Sequence, residues 1–420
     1  MHGRHRDYYL DLAERAEPEL YGPNQLQWLE TLEIEHDNLR SALEWSRQAA
    51  ERDPTEREPG LRLAAALGRY WLVRGHLSEG RRWLRSLLEI SPDGTLARAR
   101  ALNQAADLAF NQGDHEAVGP LVEQGLEAAI ALKYALGEVR CLHLRAAEAG
   151  IQLQFEQSAQ LLDTALPRFE AAGSSYMRGM WLYARAQAAR GVGDADRAAQ
   201  LATEGLALSR QENGPWEIRH WVILLGHLQL YASPDVAAAL LREGLEISRQ
   251  LRDRQGSADA IESLGWAAAA LGDHQRAGRL LGAAEAIRDS IGMALFPIWH
   301  ADHARAEQTL REAIGDTACA TAMDAGRKLR LDEAIALALG DGADSRATAP
   351  EDARTAGLTA REREVARLLS GGLSNRQIAE ALVITDGTAA IHVRNILSKL
   401  GFSSRAQITA WAVRQGLDQP

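Results

Sequence analysis

Residues 264–284 read LGWAAAALGDHQRAGRLLGAA, two runs of small and apolar residues on either side of a Gly-Asp pair. After the pair, Ala277, Leu280, Leu281 and Ala284 recur at the spacing of one helical face. Small residues in both runs allow two helices to pack closely. The stretch therefore predicts two helices joined by a Gly-Asp turn.

The same turn pattern recurs along the first three quarters of the chain. The turns are centred on Gly75, Gly113, Gly193, Ser233 and Gly272, with a degenerate copy near Phe155 in the one double-length gap. The copies lie about 38 to 42 residues apart, and a period of this length indicates a solenoid of stacked helix pairs. Together with the C-terminal region described below, this predicts an all-α protein.

The repeats resemble the tetratricopeptide repeat. Seven residues of the opening stretch fall on that family's main small and apolar positions, namely Leu264, Gly265, Ala268, Gly272, Ala277, Leu281 and Ala284. The period is longer than the family's usual repeat of roughly 34 residues. We therefore describe the array as tetratricopeptide-like. The resemblance implies a broad concave surface that senses or recruits a protein or peptide partner.

Several conspicuous residues of the array have structural interpretations. Trp216 and Trp221 either line the concave surface or pack between helices. The histidines beside the turns, His76, His115 and His274, are expected at the surface. We expect the Gly-Asp pairs to end and begin helices and not to hold phosphate.

Composition and motifs exclude several classes of protein. Of the 420 residues, 46% are hydrophobic and 25% charged, which is ordinary for a soluble globular protein. The two cysteines, Cys141 and Cys319, form no CxxC motif, so no disulfide framework or metal site is expected. Without a signal peptide or an apolar run of about eighteen residues, we expect a cytoplasmic protein that makes no membrane contact. No nucleophile–base pair or phosphate loop is visible, which predicts no enzymatic activity and no cofactor.

The chain divides into four predicted regions. Residues 1–55 form a helical N-terminal segment, 56–339 the repeat array, 340–354 a Gly/Ala/Asp/Ser/Pro-rich flexible linker, and 355–420 a C-terminal domain. The N-terminal segment resembles the one that precedes the arrays of large ATP-binding LuxR-class regulators. Because no G-x-x-x-x-G-K-[ST] motif occurs, we expect either a short stand-alone member or a fragment of a longer gene product.

Charge is distributed unevenly along the chain. From Arg354 to Pro420 there are nine basic and five acidic residues, a net charge of +4. The remaining 38 basic and 52 acidic residues give −14. A basic domain on an acidic body indicates a polyanionic partner for the C-terminal domain alone.

The C-terminal domain is predicted to contain four short helices. Their capping residues are Thr359, Ser374, Thr385 and either Ser403 or Ser404. The first two form capping boxes with Glu362 and Gln377. A short second helix, a tight turn and a longer third helix form a helix-turn-helix, in which the later helix enters the DNA major groove.

Residues 355–417 resemble the LuxR-type helix-turn-helix domain. The matching stretches are LTAREREV (358–365), GLSNRQIAEAL (372–382) and the T, HV, NIL and KLG segments between Thr388 and Gly401. The resemblance implies a regulator of transcription that binds double-stranded DNA as a homodimer, with the fourth helix (404–415) as the dimer contact. For Trp411, burial within its own domain is an equal alternative.

The third helix has two distinct faces. Its inward stripe comprises Ala389, His392, Val393, Ile396, Leu397 and Leu400. The outward face comprises Thr388, Ala390, Ile391, Arg394, Asn395, Ser398 and Lys399. His392 is therefore expected to be a core residue and not a ligand.

The outward face predicts the DNA contacts. Arg394 is expected to contact guanine through two hydrogen bonds and Ile391 to contact a thymine methyl group. The predicted phosphate contacts are Thr388, Asn395, Lys399 and Arg376, with Arg405 as a weaker candidate. Ala390 lies on the same face without a polar group.

This sequence departs from the family pattern in the third helix. Ala389 stands where Val is common, and Ala390 stands where a charged or polar residue is frequent. Gly387 in the first turn costs up to about 1 kcal/mol of helix stability. We expect weaker binding or a different DNA site. The alternative function is a protein-interaction scaffold whose DNA-binding domain is degenerate or non-specific.

Overall fold

The structure, a computed structural model, describes residues 2–91, 94–340, 360–370, 373–382, 392–393, 395–397, 399–400 and 405–414. The chain forms two compact units, Met1–Gly340 and Asp341–Pro420. Every regular element among the described residues is a helix, which confirms the predicted all-α class.

Helix pairs make up most of the first unit. It begins with α1 (His2–Glu19), α2 (Gln25–Ile34), α3 (His36–Arg52) and a 3-10 turn at Pro54–Glu56. Six pairs follow: α4 (Arg57–Arg74) and α5 (Leu77–Ile90), α6 (Leu96–Gln112) and α7 (His115–Ala131), α8 (Ala135–Ile151) and α9 (Phe155–Ala172), α10 (Ser175–Gly191) and α11 (Ala195–Glu212), α12 (Pro215–Gln229) and α13 (Pro234–Leu251), α14 (Arg254–Ala270) and α15 (His274–Ile291). These pairs confirm the predicted solenoid.

Shorter elements complete the two units. A 3-10 turn, Pro297–Trp299, leads to α16 (His300–Ile314), α17 (Asp316–Arg327) and α18 (Leu331–Leu339). The second unit contains α19 (Ala360–Ser370), α20 (Asn375–Leu382), helical residues between 392 and 400, and a C-terminal helix, Arg405–Arg414.

The Gly-Asp pairs end one helix and begin the next, as predicted. Gly113 adopts a left-handed conformation (φ +77°) after α6, which a glycine tolerates without strain. Asp114 then accepts a hydrogen bond from the Ala117 amide at 3.3 Å and caps α7. The degenerate turn before α9 uses Leu153 at φ +61° in place of glycine. The repeated turn is therefore defined by its left-handed backbone conformation, which a residue other than glycine can also adopt.

The opening stretch forms the tight helix pair that its pattern predicts. Ala277, Leu280, Leu281 and Ala284 of α15 are all completely buried. They belong to one apolar core with residues of α12, α13 and α14. Burial of apolar surface between successive pairs is the main stabilising term in such an array.

The array curves so far that its first pair contacts its fifth. Arg69 of α4 forms an ion pair with Glu217 of α12. The next turn of α4 makes a similar contact, because Arg74 donates to the main-chain oxygen of Leu251, at the end of α13, at 3.0 Å. These contacts join residues about 150 positions or more apart in the chain.

Aromatic rings enclose the Arg69–Glu217 pair. The Arg69 guanidinium lies 3.9 Å from the centroid of the Trp216 ring, 4.8 Å from that of Tyr21 and 5.3 Å from that of Tyr176. Arg69 is only 2% exposed and Glu217 only 7% exposed. Two buried charges of opposite sign stabilise each other here, but either one alone would be costly.

Replacing one member of this pair tests the closure of the array. Arg69→Met leaves the Glu217 carboxylate buried without its partner, so we expect the free energy of unfolding to fall by about 3–5 kcal/mol. Urea unfolding followed by circular dichroism measures this. As the control, Arg210→Met removes a pair with Glu243 whose side chains are 57% and 44% exposed, with an expected loss below about 1 kcal/mol. Equal losses would show that the pair does not hold the array closed.

Glycines allow α15 and α17 to touch through their backbones. A Cβ atom added to Gly282 would lie 2.0 Å from the main-chain oxygen of Met323. In the reverse direction, a Cβ on Gly326 would lie 2.0 Å from the oxygen of Arg279. No side chain can move to relieve such an overlap, because the atoms in contact belong to the main chain.

A single methyl group is therefore expected to separate these helices. Gly282→Ala should lower the free energy of unfolding by about 1–3 kcal/mol through overpacking. The matched control is Gly179→Ala in α10, a buried helical glycine whose added Cβ would have no atom within 4 Å. That change is expected to be neutral or to stabilise by up to about 1 kcal/mol. The same unfolding measurement compares the two, and a harmless Gly282→Ala would contradict the proposed contact.

Candidate nucleic-acid interface and inner cavity

One apolar core joins the four helical segments of the second unit. Its buried members are Val365, Ala366, Leu369, Ile378, Ala379, Val393, Ile396, Ile408, Trp411 and Ala412. Trp411 is 5% exposed, which agrees with the alternative that this residue is buried within its own domain.

The second predicted capping box is present. The Ser374 amide donates to Gln377 Oε1 at 2.8 Å, and the Gln377 amide donates to Ser374 Oγ at 3.3 Å. Two amides at the start of α20 are satisfied in this way, which fixes where the helix begins. Thr359 of the first predicted box, and the predicted capping residues Thr385, Ser403 and Ser404, lie outside the described residues.

The inward stripe of the third helix is confirmed for its described members. Val393 and Ile396 are buried, while His392, Leu397 and Leu400 are half-buried. On the opposite face, Asn395 and Lys399 are exposed. Ala389 lies outside the described residues.

Four of the eight residues predicted to contact DNA lie outside the described part of the chain. These are Thr388, Ala390, Ile391 and Arg394. Arg376 lies in the first turn of α20, and only its main chain is described. Asn395, Lys399 and Arg405 are the three predicted contacts whose side chains the structure places.

Two of these three side chains are engaged inside the domain. Lys399 Nζ lies 2.7 Å from the carboxylate of Glu362, which is only 3% exposed. Arg405 donates through Nη1 to Asn375 Oδ1 at 2.8 Å and through Nη2 to the main-chain oxygen of Leu373. Arg405 therefore ties the C-terminal helix to the start of α20, a role that the sequence pattern did not indicate.

The first unit contains a cavity that sequence reasoning missed. The segment after α15 passes along the inside of the curve, where the ring of Phe296 stacks on Phe110 at 6.0 Å and that of Trp299 lies 4.3 Å from His227. Asp302 fastens this segment by accepting hydrogen bonds from Arg190 at 2.6 Å and Tyr231 at 2.8 Å. A cavity of about 180 Å³, the inner cavity, lies between this segment and α6, α8, α10, α12 and α14.

Ionisable side chains line the inner cavity. Burial lowers the pKa of His143 to about 4 and lowers the pKa of His220 and His227 well below the ordinary value. Burial also raises the pKa of Asp107 and raises that of Asp259 to about 7. The three imidazoles are therefore neutral near pH 7, where they act as hydrogen-bonding groups and not as charges.

Trp216 and Trp221 lie in different surroundings within the array. Trp216 is 7% exposed and lines the inner cavity, so it is buried on the concave side of the array. Trp221 is completely buried, and its indole donates to Ser209 Oγ at 2.9 Å, which agrees with packing between helices. The turn histidines are half-buried, and His115 lies 3.0 Å from Glu148. The only sequence hint of the cavity was the presence of charged residues within otherwise apolar helices.

The comparisons with known proteins agree on the C-terminal domain. The family model described as "Bacterial regulatory proteins, luxR family" matches residues 356–412. Transcriptional regulatory protein LnrK of Bacillus subtilis (strain 168) is 50% identical over 60 residues, which cover 14% of this chain and 27% of LnrK.

A longer relative covers nearly the whole chain. Mb0914c, a candidate HTH-type transcriptional regulator of Mycobacterium bovis, is 26% identical over 581 aligned positions, covering 99% of this chain and 64% of Mb0914c. The chain thus spans less than two thirds of the length of this relative. No helix in the described part of the chain is both long enough and apolar enough to cross a membrane.

A solved structure shares the fold of the first unit. A Rap protein complexed with competence and sporulation factor has a TM-score of 0.53 at 14% identity, covering 72% of this chain and 81% of that chain. At this identity the similarity concerns the fold alone. The chain therefore combines a helical repeat unit with a C-terminal domain that matches the model of the LuxR family of bacterial regulatory proteins.

Proposed function

We propose that this protein is a non-enzymatic, cytoplasmic regulator of transcription. Its C-terminal unit binds the major groove of double-stranded DNA, and its repeat unit senses or recruits a protein or peptide partner. The observation that carries the proposal is the match of residues 356–412 to the LuxR family. The buried core and the Ser374–Gln377 capping box support it, because both are needed to present a recognition helix.

Sequence reading is assigned to the third helix. Arg394 contacts guanine and Ile391 contacts a thymine methyl group. Thr388, Asn395, Lys399 and the Arg376 region contact phosphate, and Ala390 lies close to the bases without a polar contact. The exposure of Asn395 and Lys399 supports this orientation of the helix. On binding DNA, the Lys399 ammonium group would leave Glu362 for a phosphate or contact both at once.

The homodimer contact is assigned to residues 404–415. Ile408, Trp411 and Ala412 lie in the domain core, so other residues of this helix would make the contact. A two-fold dimer presents two recognition helices to two half-sites, which favours palindromic operators.

The competing proposal is an interaction scaffold with non-specific DNA binding. It is favoured by Gly387, Ala389 and Ala390, which weaken the third helix or remove polar contacts. Non-specific binding depends on phosphate contacts alone, so its affinity falls steeply with salt and does not vary with sequence.

Band-shift assays with genomic fragments distinguish the two proposals. Arg394→Ala and Ile391→Ala should each weaken binding to the selected fragments by about 1–3 kcal/mol and leave weak binding to random DNA almost unchanged. Arg367→Ala, an exposed arginine of α19, is the matched control and should leave selectivity intact. Selective binding that survives both third-helix variants would contradict the assigned site, and its absence in the wild type would favour the scaffold.

Arg405 is expected to act through stability and not through phosphate contact. Arg405→Ala removes the two hydrogen bonds to Asn375 and Leu373, so the second unit should lose about 1–3 kcal/mol. Hydrogen exchange of the α20 amides in the full chain measures this, again with Arg367→Ala as the control. A variant that loses DNA affinity with unchanged amide protection would instead make Arg405 a direct phosphate contact.

A further inference from the structure

The inner cavity contains hydrogen-bond acceptors that no group in the described part of the chain satisfies. The first is on His227, which is 8% exposed and lines the cavity. Ser263 Oγ donates its proton to the main-chain oxygen of Asp259 at 2.7 Å, so it can only accept from His227 Nε2, also at 2.7 Å. Since the buried ring is neutral, the proton is on Nε2 and His227 Nδ1 is a bare acceptor.

His227 Nδ1 is buried and has no hydrogen-bond partner among the residues that the structure describes. An unsatisfied buried acceptor of this kind costs free energy in a structure without a ligand.

Two further acceptors face the same cavity. Gln187 contacts the Tyr183 hydroxyl through Nε2 at 3.5 Å, which leaves its buried Oε1 without a donor. The carboxylate of Asp259 has no hydrogen bond or ion pair within the described part of the chain, although its main-chain oxygen is satisfied. The three side chains come from α10, α12 and α14, which face one another across the cavity.

The two arginines that line the cavity contact groups other than Asp259. Arg219 forms an ion pair with Asp253 at 3.4 Å. Arg140 donates to the Tyr21 hydroxyl at 2.7 Å. Nε of each of these arginines is also buried without an acceptor in the described part of the chain. Neither guanidinium forms an ion pair with Asp259 there, so the charge of this carboxylate is not directly neutralised.

The inner cavity does not gather three His, Cys, Asp or Glu ligands within the described part of the chain. In the described residues, one group brings three ligand atoms within 4.8 Å of one another, and it consists of Glu33, His36 and His76, outside this cavity. The acceptors of the inner cavity are one imidazole nitrogen, one amide oxygen and one carboxylate. A primary ammonium group offers three N–H donors and a positive charge.

The size and walls of the cavity define the rest of the ligand. Its volume of about 180 Å³ is slightly larger than the cavity of about 150 Å³ known to hold benzene, so roughly six to ten non-hydrogen atoms fit. The rings of Tyr183 and Trp299 line it and offer apolar surface to the body of the ligand. A folded peptide is too large to enter as a whole.

We propose that the inner cavity binds a small primary amine, whose ammonium group donates to Asp259, Gln187 and His227 and whose apolar body lies against Tyr183 and Trp299. This ligand is the signal, or one of the signals, that the repeat unit senses. In that respect alone the inference rests on the proposed function, because amine binding itself requires no DNA.

Titration calorimetry with the full chain tests the ligand chemistry directly. The probe is 2-phenylethylamine, with 2-phenylethanol and 3-phenylpropionate as analogues of similar size. We expect the amine to bind about tenfold or more tightly than either analogue, because only it supplies a charged donor to Asp259. Equal binding of the alcohol or tighter binding of the carboxylate would overturn the proposal, as would no heat with the amine.

A conservative variant tests the site. Asp259→Asn keeps the shape of the side chain and removes its charge, so amine affinity should fall about tenfold or more with an unchanged melting temperature in the absence of ligand. The matched control, Asp289→Asn, changes an exposed aspartate of α15 and should bind like the wild type. If Asp259→Asn folds and binds the amine normally, the site is wrong.

The pH dependence provides a second readout. Since burial raises the pKa of Asp259 to about 7, affinity should fall as the pH is lowered through this value and the carboxylate takes up a proton. The charged groups that act on Asp259 are Arg219, Asp253, Glu262 and Arg288. The Asp259→Asn variant should lose this dependence, and a wild type with pH-independent affinity would count against the site.

A lysine-containing tripeptide separates a free amine from a side chain of a peptide partner. Binding of the tripeptide without binding of 2-phenylethylamine would overturn the proposal and make the cavity a side-chain pocket. A band-shift assay with and without the amine then tests amine binding and DNA binding separately. DNA binding without amine binding leaves the proposed function standing and removes this inference, whereas amine binding without DNA binding does the reverse.

Discussion

The buried ion pair between Arg69 and Glu217 is the constraint on which the first unit depends. A solenoid stabilised only by contacts between neighbouring pairs has no intrinsic reason to close. Here two opposite charges, inside a cage of Trp216, Tyr21 and Tyr176, connect its first pair to its fifth. Leaving either charge buried alone costs on the order of 3–5 kcal/mol. The pair therefore disfavours any curvature of the array that would separate the two charges. The interior of the curve thereby becomes a defined space.

That space has a chemistry distinct from the rest of the array. Between successive pairs the contacts are apolar and small, as the alanines and leucines of α15 illustrate. Inside the curve, Asp259, His227 and Gln187 bring polar atoms into a site that the segment ending at Trp299 covers. These polar groups are not part of the apolar contacts between neighbouring pairs, and we propose that they bind a ligand.

In the second unit, the prediction from sequence was most successful where local rules act. The Ser374–Gln377 capping box and the Val393–Ile396 stripe follow from spacing along one helix, and local spacing is readable from one sequence. Lys399 and Arg405 appeared as free cations, because nothing local pairs them. Their partners, Glu362 and Asn375, are about 30 or more residues away, and such pairings depend on how helices meet.

The sequence by itself determined the class of the protein, the period of its repeats, the turn positions and the helix-turn-helix domain. These features depend on residues a few positions apart, where helical geometry dictates the pattern. Tertiary structure alone decided that the array closes and that Trp216 borders a cavity while Trp221 packs between helices. It also decided that the Asp259 carboxylate has no hydrogen bond or ion pair within the described part of the chain. Each of those outcomes depends on the angle accumulated over six helix pairs, and small packing differences at each pair, which no local pattern records, set that angle.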